Sequence, residues 1–498
     1  MRIPVRLKNE LTTMNTRHFI PFMLLLCSLF TSCEDMLEER PYSELDPSDV
    51  LTTVNGIEKV LVSAYGNMVW NNVKFRLTRF EGWPADLSWQ TGGVENRTAL
   101  TIMNWTWDAS QDQFIGAYSR HYDAIRDANI ILGNLDLVTG IADNKKASLT
   151  AEARFIRAWA YYRLYIYFGA TPLRTSIDDP AEMPKASQEE MLQFIETELL
   201  AVIPDLPEPG AEAQYGRVTS GGARALLAKF YLNSKQWEKA AAACQDVIDM
   251  DKYQLFPSFE DLLKAENDGN SEMILVTPLS PDGPALNYME GAFPPGFASW
   301  PEKNVVNTSW ENHGTQHRLR ESFYHSFDPK DKRREPILTS YVNDRGVTVD
   351  LLNGAEDNIR SFRFWPDVNA QGNRHGNDLP EIRYADILLA RAEALNELNG
   401  PSEEAINLIN QVRARADVHD LSVTDFATKE ALRDHLVQER AWEFYEEGHR
   451  RTDLIRMGKF VEFARKRGVE NAEEYRTLYP IPQSALDANP LLEQNPGY

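Results

Sequence analysis

Three sets of side chains in this 498-residue chain are of a type that could do chemistry. His313 and His317 stand four apart, so a helix would offer both from one face as metal ligands. Gly314 argues against that helix and no third ligand follows, so the pair reads as a surface loop with no metal. Glu439, Glu443, Glu446, Glu447 and His449 form a dense acidic run. On a helix, Glu443 and Glu447 would share a face, as paired carboxylates for acid-base work require. Gly448 closes that helix, and Arg440, Arg450 and Arg451 are at hand to neutralise the acids. The run therefore reads as an architectural ion-pair network, which imitates an active site. The third set is aromatic. Of eleven tryptophans, Trp159, Trp237 and Trp442 fall in strongly periodic helices and read as core, and Trp70 at a helix end fits either role. Trp83, Trp89, Trp105, Trp107, Trp300, Trp310 and Trp365 fall in irregular segments.

A flat indole packs against the C–H face of a sugar while its N–H stays free to donate. Asn, Asp, Arg and backbone groups then fix the sugar through its hydroxyls. SWQTGGVENR and FASWPEKNVVNTSWENHG set loop aromatics beside such partners. The opposing reading is that long loops fold over their own aromatics. The expected ligand platforms are Trp89 and Trp300, then Trp310 and Tyr288, with Trp83, Asn96 and Arg97 alongside. Signatures of catalysis are missing: there is no Gly-x-Ser-x-Gly elbow, phosphate-binding glycine loop, His-Glu-x-x-His or Cys-x-x-Cys. A glycosidase needs two carboxylates flanking a sugar bond, and no pair among the 74 acidic residues is singled out by spacing. The expectation is a binding protein, not an enzyme, with no cofactor.

Residues 381–456 would position these groups. EIRYADILLARAEALNELNG reads as a helix apolar nearly all round, hence buried. Its small Ala385, Ala390, Ala392 and Ala394 let a second helix come close. Gly400-Pro401 stops it, Ser402 caps the next helix, and Ala405, Ile409, Val412 and Ala416 repeat at helical spacing. Two antiparallel helices joined this way form one unit of a tetratricopeptide-like array. Residues 218–250 carry a second hairpin, with Trp237, Ala240, Ala243 and Val247 on its buried face. GIEKVLVSAYGNMVW, residues 117–135, 151–173 and 187–206 read as further helices, EMILVTP as a short strand, and LRESFYHSF as a helix. Residues 80–116 and 278–378 lose the helical period and read as loops, the former with short pieces of structure, the latter with hairpins. An insertion of that length between helical units is more often functional than filler. The fold class is all-α: a tetratricopeptide-like scaffold of helical hairpins with long irregular ligand-binding loops.

RYADILLARAEALNE, then INQVRARA, then ERAWEFYEEGHRRTDLIR resembles the C-terminal signature of the SusD/RagB family, outer-membrane lipoproteins that bind glycans at the cell surface. Three motifs in the family's order are a specific signal. Tyr118 through Leu132, Glu152 through Leu173, the Gly216-Arg217-Val218-Thr219 stretch and the closing Pro-rich sequence resemble the family too. The likeness is weakest in residues 80–116 and 278–378, the segments expected to vary with ligand.

The N-terminus reads as a targeting segment. Arg17 precedes an apolar run from Phe19 to Phe30, too short to span a bilayer at roughly 20 residues. Met1 and Met14 both stand as starts, Met14 because Glu10 sits awkwardly in a basic leader. Thr31-Ser32-Cys33 resembles a lipobox, with Phe30 in place of the usual Leu, and makes Cys33 the lipidated first residue. An ordinary secretory signal with an incidental cysteine is the alternative. Glu34, Asp35, Glu38 and Glu39 follow, and in this family setting resemble a tag for the outer face. Cys27 would leave with the leader, and Cys244 alone in AAAACQDVI is a small core residue with no disulfide partner. Losing residues 1–32, with four cations and one anion, takes the formal charge from −22 to −25. Such acidity disfavours nucleic acid and anionic lipid as partners.

The expected organisation is a signal peptide at 1–32, an acidic lipid-anchored tether at 33–48 and one body at 49–498. That body has helical units at about 49–275 and 379–460, a variable insertion at about 278–378 and a Pro-rich tail at 475–498. The resemblance implies a lipid-anchored protein of the outer membrane that binds an oligosaccharide without cleaving it. It also implies a partner, a SusC-like TonB-dependent transporter over which the protein closes as a lid. Capture of a peptide, surface hydrolysis and a purely structural role beside the transporter are the rival functions.

Overall fold

The Thr53 hydroxyl accepts the Gly56 backbone N–H at 3.1 Å and opens the first helix. The computed structural model describes residues 50–91, 96–311, 317–354 and 356–498. Cys33, the leader, the tether and His313 lie outside the described residues, as does the side chain of Asn96. Helix α1 (Val54–Asn71) runs without a break into a wide π-helical stretch, Asn72–Phe80. Then follow β1 (Ser88–Gln90), α2 (Asn96–Met103), α3 (Asp112–Asn134), α4 (Asp143–Phe168), α5 (Gln188–Val202), α6 (Ser220–Asn233), α7 (Trp237–Asp249) and β2 (Met273–Thr277). The insertion holds α8 (Tyr288–Ala292), β3 (Phe297–Trp300), β4 (Val305–Val306), β5 (His317–Leu319), α9 (Glu321–Tyr324), β6 (Ile337–Leu338), β7 (Ser340–Asn343), β8 (Thr348–Asp350) and β9 (Arg360–Ser361). The chain returns through β10 (Leu379–Arg383) to α10 (Tyr384–Asn399), α11 (Glu403–Arg415), α12 (Lys429–Phe444), α13 (Arg450–Arg456), α14 (Phe460–Lys466) and α15 (Gln483–Ala488).

The helices stack on one another: α1 on α3, α3 on α4, α4 on α5, α6 on α7, and α10 against α7, α11 and α12. Helix α10 is central because Ala385, Ala390, Ala392 and Ala394 are fully buried and admit neighbours closely. Gly400, at φ +79°, ends it, and the Ser402 hydroxyl caps α11 on the Ala405 N–H, as its sequence predicts. The helix begins later than predicted. Glu381, Ile382 and Arg383 belong to β10, which pairs antiparallel with β2. The reason is electrostatic. Glu381 accepts from Trp159 and Arg163, and Arg383 donates to Glu272, Glu443 and Glu447. Extended backbone serves both sets. Cys244 is buried in α7, where burial and then Asp386 push its thiol up to about 12.

The insertion is less of a loop than its lost period suggests. β4-β3-β7-β8 form an antiparallel sheet, and β6 pairs with β9. These strands are short, so no alternation is long enough to show in sequence. LRESFYHSF keeps only one helical turn, α9, and the short pieces of structure within residues 80–116 include β1 and α2. A second hydrophobic cluster, with Phe293, Phe297, Trp300, Trp310, Phe362 and Trp365, fills the inside of the insertion. The tail packs back onto the body: the Tyr479 hydroxyl donates to Phe80 O (2.9 Å), and the Trp107 indole donates to the Tyr498 hydroxyl (2.8 Å).

The acidic run welds the insertion to the helices. Arg333 donates to Glu439 (2.6 Å), Arg383 to Glu443 (2.6 Å), and Arg363 and Arg383 hold Glu447. The neutralising arginines are thus not the neighbours in sequence. Arg440 faces Asp386 and Asp453, Arg450 takes Asp86, and Arg451 donates to Thr477 O. Burial alone would raise the Glu443 carboxyl; Arg415, Arg383 and Arg333 outweigh it and hold it at about 2. Removing one member of such a network strands a buried charge.

Candidate functional site

The two irregular regions of the chain meet in one ribbon. Strand β1 pairs antiparallel with β5, setting Ser88 opposite Leu319, Trp89 opposite Arg318 and Gln90 opposite His317. Directly opposed residues share a face and successive residues alternate. Trp89 and Arg318 therefore occupy one face of the ribbon, and Gln90 and His317 the other.

On the His317 side lies a cleft of about 240 Å³. The π-helical stretch supplies Lys74, Thr78 and Arg79, and the turn after it supplies Trp83. Asn287 and helix α8 add Tyr288 and Glu290. The wider turn of a π-helix is a common device at functional sites, and here it brings Lys74, Thr78 and Arg79 to one wall. The Tyr288 and His317 rings stack, with centroids 4.9 Å apart and planes 2° apart. Trp83 stands 6.2 Å from His317, with the Arg79 guanidinium 5.9 Å over the indole. Burial, then Arg79 and Arg360, push His317 down to about 3, so it is a neutral ring at physiological pH. The cleft thus sets flat rings beside an amide, a hydroxyl and charged groups of both signs. It is smaller than the roughly 300–1,000 Å³ of closed small-molecule pockets. It suits one unit of a longer chain better than a whole enclosed ligand.

The predicted platforms fall in three places. Trp83 and Tyr288, 2 % and 4 % exposed, line the cleft. Trp89 is half-buried on the opposite face of the ribbon, its ring 4.9 Å from the Arg318 guanidinium. Arg97 is exposed on the first turn of α2. Trp300 and Trp310 are 3 % and 7 % exposed inside the insertion. Trp300 stacks on Trp365 at 5.7 Å, and Trp310 stacks on Phe293 at 5.4 Å while donating its N–H to Asp367 O. Neither ring lines the cleft of Tyr288 and His317. Trp310 and Trp365 instead edge a separate cavity of about 520 Å³. Trp105 and Trp107 are also buried, with Trp105 stacked on Phe460 at 4.3 Å. His317 was considered in sequence only as a metal ligand, and its place between Tyr288 and Trp83 was missed. Among the described residues no His, Cys, Asp and Glu group of three or more could hold a metal. Within the same residues, no helix is long and apolar enough to cross a membrane. A larger cavity, about 570 Å³, lies between α3, the 172–181 loop and α15, away from the ribbon.

Fold and cleft together define a helical-repeat scaffold with a cleft lined from two irregular segments. A model of the SusD family matches residues 267–498, and one described as "starch-binding associating with outer membrane" matches residues 35–232. The chain belongs to the SusD/RagB family. It is 24% identical to SusD-like protein P25 of Formosa agariphila, over 97% of this chain and 100% of that one. It is 25% identical to the starch-binding protein SusD of Bacteroides thetaiotaomicron, over 82% of each. Among solved structures, a laminarin-binding SusD-like protein superposes with a TM-score of 0.75 at 24% identity, covering 90% of this chain and all of that one. Surface glycan-binding protein A of Bacteroides thetaiotaomicron, in complex with laminarihexaose, superposes at 0.74 with 20% identity, covering 89% and 100%. The structural likenesses establish the helical, SusD-type fold. The family is one of carbohydrate-binding proteins, not enzymes.

Proposed function

We propose that this chain is a non-catalytic glycan-binding protein of the cell surface that passes oligosaccharide to a SusC-like TonB-dependent transporter in the outer membrane. The observation that carries the reading is the cleft of Trp83, Tyr288 and His317, where two loop segments far apart in sequence build one face of flat rings and hydrogen-bonding groups. The family description, starch-binding in association with the outer membrane, supports it. Single sugar contacts are weak, and an array of tethered copies gains retention along a polysaccharide. Trp89, on the opposite face of the ribbon, and the exposed Arg97 are further contacts open to a longer glycan. The body hangs from a lipid on Cys33 through the acidic residues that follow, which leaves it free to close over the transporter.

Affinity electrophoresis of residues 34–498 against soluble starch, laminarin, xylan, pectin and mucin glycans tests this, with reducing-end release followed in parallel. Retardation by one polysaccharide without release is the expected result. Release of new reducing ends would make the protein a hydrolase. Retardation by none would shift the ligand to peptide or to a site completed by the transporter.

A further inference from the structure

The cleft and the two larger cavities each set acids among their bases: Glu290 beside Lys74, Asp179 beside Arg174, Asp268 beside Lys303. A further cavity, of about 380 Å³, does not. It lies between the end of α4, the approach to α5, the turn from α6 to α7, α13 and the tail, and it shares no lining residue with the cleft. Its charged lining residues are Lys185, Lys235 and Arg456, and no Asp or Glu stands among the described residues that line it. The whole chain carries 74 acidic residues against 52 basic ones, so the cavity is a local reversal of sign. Arg456 is already engaged, since it donates to Glu393, Asp453 and Asn233. The lysines are not. Lys185 gives one of its three N–H donors to Asn495 Oδ1 at 2.7 Å, and among the described residues neither lysine has a carboxylate at ion-pairing distance. Lys185 is half-buried, and burial holds its ammonium below the ordinary lysine range, with the charge of Glu493 pulling the other way. An anion brought to such a cation offsets the cost of its burial. Tyr165, Ile166, Ile455 and Leu478 supply the apolar part of the lining, and the exposed Gln188 adds an amide.

We propose that this cavity is a second saccharide site, one that selects a sugar bearing an anionic group, a carboxylate or a sulfate ester. Lys185 and Lys235 take the anion. The C–H face of the sugar packs on Tyr165, Ile166, Ile455 and Leu478, and Gln188 meets a hydroxyl. At about 380 Å³ the cavity falls within the roughly 300–1,000 Å³ of small-molecule pockets, which the cleft does not reach. The saccharide part of the inference rests on the reading of this chain as a glycan binder. The anion part rests on the cavity alone. Two sites on one molecule would hold an acidic polysaccharide longer than either, because the second contact is then intramolecular.

The test is isothermal titration of the chain from residue 34 with digalacturonic acid, its fully methyl-esterified form and galactose 6-sulfate, at low salt. The parent protein should bind one or both anions at least about tenfold more tightly than the ester, and added salt should weaken that binding. Lys185→Gln/Lys235→Gln should lose about tenfold or more, while Trp83→Ala/Tyr288→Ala should bind the anions as the parent does. Lys235→Gln alone, at an exposed position, should lose affinity severalfold with its melting temperature unchanged, which decides the matter even where Lys185→Gln, deprived of its bond to Asn495, does not fold. Binding of digalacturonate alone would name a uronate, and of galactose 6-sulfate alone a sulfate ester; either supports the site. No binding of either anion, equal binding of the ester, or anion binding unchanged in the folded lysine variants would overturn it. Anion binding lost in the cleft variant and kept in the lysine variants would move the acidic sugar to the cleft and overturn the second site. Tighter binding of N-acetyl-alanyl-alanine, whose carboxylate sits on no sugar, would overturn the saccharide class. Retardation by a neutral polysaccharide reports on the cleft alone, so the two readings fail separately.

Discussion

The rings of Tyr288 and His317 lie parallel, 4.9 Å between centroids and 2° apart in plane, although one comes from helix α8 and the other from strand β5. That stack joins the start of the insertion to the strand that pairs with β1. A neutral imidazole beside a phenol is a flat, uncharged wall with hydrogen-bonding edges. Its neutrality at physiological pH follows from burial and from Arg79 and Arg360 nearby.

Trp300 tests the division between core and ligand face. Its ring is stacked on Trp365 and stands edge-on to Phe362. Trp300→Ala should cost about 3–5 kcal/mol of stability, as large buried aromatics do, read as a lower midpoint in urea. Trp89→Ala, at a half-buried position, should cost less stability and weaken polysaccharide binding severalfold, with helical circular dichroism unchanged.

Arg383 should be the least replaceable cation. It donates to Glu272, Glu443 and Glu447 and is itself buried. Arg383→Met would leave three carboxylates short of a partner. A loss of about 3–5 kcal/mol is expected, visible as a large drop in melting temperature or as loss of soluble protein.

Acid should undo the same network. The Glu443 carboxyl is held at about 2 in the folded protein against an ordinary 4.5. Its contribution is therefore complete above pH 4.5 and is lost as the pH falls from 4.5 toward 2. Melting temperature should be level near pH 6 and drop steeply in that window. The drop should be shallower in Glu443→Gln, which begins from a lower plateau.

Gly216 shows what an irregular backbone demands. It has φ +88°, and a Cβ would lie 2.3 Å from Pro278 Cγ. Gly216→Ala should destabilise by about 2 kcal/mol or more, since strain and overlap add. Chemical denaturation measures this directly.

Much of the scaffold was legible in the sequence. Gly400, Pro401 and Ser402 marked a turn by their own backbone chemistry, and the alanines of α10 announced close packing. What stayed hidden depended on distant partners. Glu381 and Arg383 looked helical because Trp159, Arg163, Glu272 and Glu443 lie remote in sequence. Trp300, Trp310, Trp105 and Trp107 looked available because loops carry no period to show that they cover their own aromatics. Of the predicted platforms, Trp83 and Tyr288 share one cleft, while Trp89 and Arg97 stand outside it. The left-handed backbone of Glu446, next to Gly448, is a property of backbone and not of residue type.

The most direct test of the central claim is the dissociation constant of the retarding polysaccharide for the parent protein and for Trp83→Ala/Tyr288→Ala, measured by isothermal titration at pH 8. A loss of at least about tenfold is expected, with helical circular dichroism preserved and no new reducing ends in either protein. Equal affinity in the folded double variant would contradict it and place the ligand elsewhere on the molecule.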